Sequence, residues 1–157
     1  MLHPPIAHFA ISLPIISLII GLAYLYRPSE IMSKISTRFM LFAAIFIIAA
    51  FFSGKEDGSE VFPLISSEGQ EVLKAHKDLA LYLLVGMVLA TALKMFGCLK
   101  KVYKAEVAAV LLVALVAGGV LYQGKMGGEL TFTYGAHVKD HSDGMDCLDD
   151  PEFFLDE

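Results

Sequence analysis

Four long apolar runs decide what this chain can become. They cover about residues 5–26, 37–52, 75–96 and 105–122, close to the roughly 17–25 residues that a helix needs to cross a bilayer core. The expected fold is all-α: an integral membrane four-helix bundle, up-down-up-down, with residues 1–138 as one domain and 139–157 as an acidic tail. Hydrophobic residues make up 56% and charged residues only 18%, whereas soluble domains carry roughly a quarter charged residues. Lipid is the natural solvent for such a composition. Pro4-Pro5 suits a helix start, where proline's missing N–H costs nothing, and Pro14 is a bend of the kind membrane helices tolerate. No Lys or Arg precedes Arg27, so the first run lacks the basic leader of a signal peptide and reads as a retained helix.

Basic residues set the direction of the spans, because short cytoplasmic loops collect Lys and Arg. Arg27, Lys34 and Arg38 follow the first run, and Lys100, Lys101 and Lys104 follow the third. Both of those loops are expected in the cytoplasm, which leaves both termini outside a bacterial inner membrane. Lys94, in the last turn of the third run, has a stem long enough to snorkel to the headgroups. The five histidines, His3, His8, His76, His137 and His141, then share the outer side, as do all acids except Glu30 and Glu106.

Histidines within membrane helices are candidates for function. His8 lies one turn inside the first span and His76 opens the third, so the two imidazoles are expected at similar depth on parallel helices. That placement suits a clamp on one metal or one haem iron. Interfacial imidazoles that bind nothing are the plainer reading of His3, His137 and His141. A haem requires two axial ligands, an apolar slot and partners for its propionates; Gly86, Ala90, Ala92, Gly118 and Gly119 offer room, and Lys55, Lys74 and Lys77 stand near the outer edge. A copper or zinc ion would take three or four ligands from His3, His8, His76 and His137. Cys98 and Cys147 are far apart and make no CxxC or CxxCH, so neither a zinc knuckle nor covalent haem attachment is indicated. A net charge of −5 argues against nucleic acid as a partner. No side chain reads as a catalytic nucleophile.

The connecting segments are less regular. Ser53-Gly54 is expected to close the second span, with a short interfacial helix broken at Pro63 and an N-cap at Ser66 or Ser67 before the third. Gly127-Gly128 reads as a breaker, and ELTFTY alternates as a short strand does. A hairpin there would lie over the outer mouth of the bundle and bring Tyr134 and His137 near His3 and His8. The tail after Val138 is acidic, with no recognised ligand spacing.

Three stretches carry a resemblance. LHPPIAHFAISLP, SGKEDGSEV with KAHKDLA, and GGELTFTYGAHV resemble the opening, central and closing signatures of the bacterial membrane-protein family called domain of unknown function 2231. Ser53 replaces a usual threonine, and Lys77 stands where an acid commonly follows the histidine. The resemblance implies a four-helix membrane bundle. Through the family's similarity to four-helix b-type cytochromes, it also implies haem ligation by His8 and His76, with His3 as a further candidate. The expected function is therefore a b-type cytochrome-like electron carrier with one haem near the periplasmic face, and Lys74 and Lys77 near the propionates. It would pass electrons from a membrane donor such as quinol to a periplasmic redox protein. A copper- or zinc-binding membrane protein, or an accessory subunit of a larger membrane complex, are the alternatives.

Overall fold

The computed structural model describes residues 3–136 as four helices: α1 His3–Tyr26, α2 Glu30–Val61, α3 Ser67–Lys100 and α4 Tyr103–Phe132. Each contains a stretch long and apolar enough to cross a membrane. α1 packs against α2 and α4, and α3 packs against the same two, so α1 and α3 stand on a diagonal without a shared interface. Short connections of this kind force successive helices to run antiparallel.

The packing is inside-out relative to a soluble bundle. The centre is built from small and slender side chains, with Ala43, Ala90, Ala109 and Val113 fully buried around Met40 and Met87. The large ones face outward; Ile19 is 61% exposed and Leu115 is 74% exposed. Lipid tails remove the penalty for that exposure, and small residues let the helix backbones approach. Gly119 shows the closeness: a Cβ there would meet Leu83 Cδ2 at 2.3 Å.

Caps explain where the helices start. Ser29 and Ser66 accept from the N–H groups of Met32 and Gly69, at 3.2 Å each, so two orphan donors of α2 and α3 are satisfied. Ser66 was one of the two caps expected. Lys101 ends α3 in the left-handed region at φ 56°. Pro14 sits buried within a continuous α1.

Two expectations fail at glycines. Ser53-Gly54 does not end α2, which continues two turns to Val61, and Gly127-Gly128 does not break α4, which continues to Phe132. Residues 129–132 of the expected hairpin strand are therefore helical, and 133–136 form turns. A mid-helix glycine costs only about 1 kcal/mol, and burial of Met126 and Leu130, one turn apart on one face, offsets it. ELTF supplied too few residues to separate a period of 2 from one of 3.6. His137, His141 and the acidic tail 139–157 lie outside the described residues.

The extensions make a second, smaller core. Val61, Ile65, Leu130 and Ala136 are buried together with Val72, Leu73 and Tyr134 against them. They form a roof beyond the start of α1, because α2, α3 and α4 all project past His3.

Candidate functional site at the histidine end

Between the main core and this roof lies a layer of polar side chains. His3 opens α1, and its backbone N–H points to the Asp57 carboxylate of α2 at 3.4 Å. Asp57 is buried, and a carboxylate is favoured there because the first N–H groups of a helix have no partners of their own. His3 Nδ1 lies 3.2 Å from Ser53 Oγ. Gly54 gives the ring its place: a Cβ on that residue would stand 2.7 Å from His3 Cε1. Gly54→Ala is therefore expected to leave the helices intact but rotate the His3 ring away from α2. The histidine ring resonances of the variant would report the shift, and unchanged His3 resonances would contradict the packing.

His76 enters the same layer from α3, stands within electrostatic reach of His3 and places Cε1 3.5 Å from where a Gly127 Cβ would be. Its carbonyl accepts from Gln123 Nε2 at 2.9 Å. Two polar atoms here are buried with no hydrogen-bond partner, His76 Nδ1 and Gln123 Oε1. Buried groups of this kind are rare in folded proteins, and each costs about 1–3 kcal/mol when left unmade.

His8 stands apart from it. The ring is exposed, and Nδ1–H donates to the Pro4 carbonyl at 2.7 Å. It faces outward on α1, diagonal to α3, so the expected meeting of His8 with His76 does not form. The correction is one of helical phase: His8 lies about 140° around the axis from His3 at 100° per residue, and it is His3 that turns inward. Ligating histidines do commonly donate one ring N–H to a carbonyl, but the His8 ring offers its remaining nitrogen at the bundle surface.

The other expected participants are placed as follows. Lys74 Nζ rests 5.4 Å from the centre of the Phe62 ring, and Lys77 and Lys55 are exposed. The small residues proposed to make a haem slot are occupied otherwise. Leu83 fills the space at Gly119, Val116 lies 3.1 Å from a Gly86 Cβ, Ala90 is in the core, and Gly118 and Ala92 face outward. Among the described residues, no group of three or more His, Cys, Asp or Glu stands together as a metal site.

A second polar cluster lies at the opposite, basic end. Lys94 is 0% exposed and does not snorkel; its ammonium binds the Glu106 carboxylate and lies 3.8 Å over the Tyr24 ring. Ser33 Oγ donates to the same carboxylate oxygen at 2.6 Å. Gly97 permits the approach, since a Cβ there would stand 2.5 Å from Glu106 Cγ. Every helix contributes one residue to this cluster. Its signal in the sequence is plain afterwards: a base near the end of the third apolar run and an acid at the start of the fourth, seven residues before and five after the same turn at Lys101.

A family model described as "Predicted membrane protein (DUF2231)" matches residues 1–140 of the chain. No curated protein and no solved structure matches it.

Proposed function

The chain belongs to the DUF2231 family of predicted membrane proteins, and from that premise we propose an electron-transfer role, with one b-type haem held at the histidine end by His3 and His76. The observation that carries this reading is the buried, partnerless Nδ1 of His76 at the end of the bundle where His3 also turns inward. Haem iron takes four ligands from its porphyrin and two from the protein, so a pair of imidazoles suffices. A structural zinc ion wants four ligands, a catalytic one three, which the described residues do not bring together. The filled contacts between α3 and α4 leave little room at mid-bundle, which is why this reading puts the haem in the outer polar layer. When bound, haem supplies one-electron exchange; the chain's part is to hold the iron, seal it beneath the small second core, and present a docking face.

The charge pattern supports the rest. The two basic loops are cytoplasmic by the positive-inside rule, which turns the histidine end and both termini toward the periplasm of a bacterial inner membrane. Glu56, Glu60, Glu68, Glu71 and Asp78 are exposed at that end, and a negative face speeds encounter with a basic carrier. Quinol in the bilayer is the donor consistent with this arrangement, and exposed Lys77 is the candidate propionate partner.

The test is the visible spectrum and metal content of the detergent-purified protein. A reduced b-type Soret and α band is expected. A colourless protein with stoichiometric copper or zinc would replace the haem with a bare ion, and a colourless, metal-free protein would leave an accessory-subunit role.

A further inference from the structure

The Lys94–Glu106 pair does not close off the basic end. A cleft of about 310 Å³ opens beside it, lined among others by Tyr24, Ser29, Ser33, Lys34, Tyr103 and Glu106. Below the pair, two hydroxyls are fully buried with no partner: Ser36 Oγ, one turn from Ser33 along α2, and Ser17 Oγ, two turns from Tyr24 along α1. Thr91, one turn from Lys94, is satisfied by the carbonyls of Met87 and Met40. Polar groups thus continue inward from the cleft for about two turns and stop at the apolar layer of Met40, Met87, Ala43, Ala90 and Val113.

From this placement we propose that Glu106 is a proton-exchange site reached from the basic face, with water linking the cleft to Ser36 and Ser17. Buried hydroxyls without protein partners are the groups that ordered internal water satisfies, and an ionisable pair within a membrane bundle marks a proton or ion site. The step balances simply. A hydronium reaching the cleft breaks one O–H bond and passes that proton to a Glu106 carboxylate oxygen, where a new O–H bond forms and neutral water is left behind. The reverse transfer to water returns the proton by the same route because the apolar layer blocks passage across. Lys94 then keeps a positive charge without its carboxylate partner, and the face of Tyr24 is there to hold it. The groups facing Glu106 are Tyr24 from α1, Ser33 with Glu30 and Lys34 from α2, Lys94, Cys98 and Lys101 from α3 and its cap, and Tyr103 from α4. This site is independent of the haem reading.

Infrared titration of the full chain in liposomes tests it. The expected result is a carboxylic-acid C=O band that grows on acidification, shifts in D2O, and is missing from Glu106→Gln. Dicyclohexylcarbodiimide, which attacks protonated carboxyls in apolar surroundings, should modify Glu106 more as pH falls. A carboxylate that stays ionised throughout and resists the reagent would make the pair a purely structural lock. A band that ignores D2O would show a proton cut off from solvent; either result overturns the proposal.

Discussion

Lys94→Met is expected to be among the most damaging single substitutions in the bundle, lowering stability by about 3–5 kcal/mol, because it leaves the buried Glu106 carboxyl without its main partner. The loss is not a measure of the pair's net worth. A pair of buried charges replaced together by apolar residues of similar volume is often neutral, so adding Glu106→Leu to Lys94→Met should recover most of the loss. The residual cost of the double variant is the hydroxyl of Ser33, which would lose its acceptor. Denaturant titrations of the wild type, both single variants and the double variant close the cycle. Additive losses would mean that Lys94 and Glu106 do not act on each other.

The second large effect concerns the imidazoles. His76→Ala and His3→Ala are each expected to remove the b-type spectrum, since each deletes one of the two axial ligands that the proposal assigns. His8→Ala is expected to keep full haem, because its ring faces outward and is engaged with Pro4. Reduced-minus-oxidised spectra of the three variants at equal protein concentration give the answer. Loss of haem with His8→Ala and retention with His3→Ala would reverse the assignment and return the iron to the outer surface of α1.

Sequence alone carried the four helices of the bundle, for identifiable reasons. Run length announced the four spans, and the short loops after Tyr26 and Lys100 forced antiparallel neighbours. The helix ends were legible at Ser66, whose hydroxyl needs only local backbone, and illegible at Gly54 and Gly128. There the decision belongs to tertiary contacts: Gly54 exists for the His3 ring, and the segment after Gly128 buries Leu130 in the second core. The histidine layer was half visible. Depth along the membrane placed His3, His8 and His76 toward one end, but which of His3 and His8 turns inward depends on helical phase and on Ser53 and Asp57, far away in sequence. Lys94 was misjudged because a lone lysine near a span's end commonly snorkels. Its partner lies across the turn, and only the two helices together reveal a buried pair.

The proposed haem site depends on which imidazoles share the inner layer. Solid-state NMR of the protein in bilayers, with labelled histidine rings and labelled glycine, measures this directly. The structure predicts through-space contacts from the His3 ring to Gly54 and from the His76 ring to Gly127, with none from His8 to either glycine. Contacts from His8 to Gly127, with the His3 ring remote from Gly54, would contradict it.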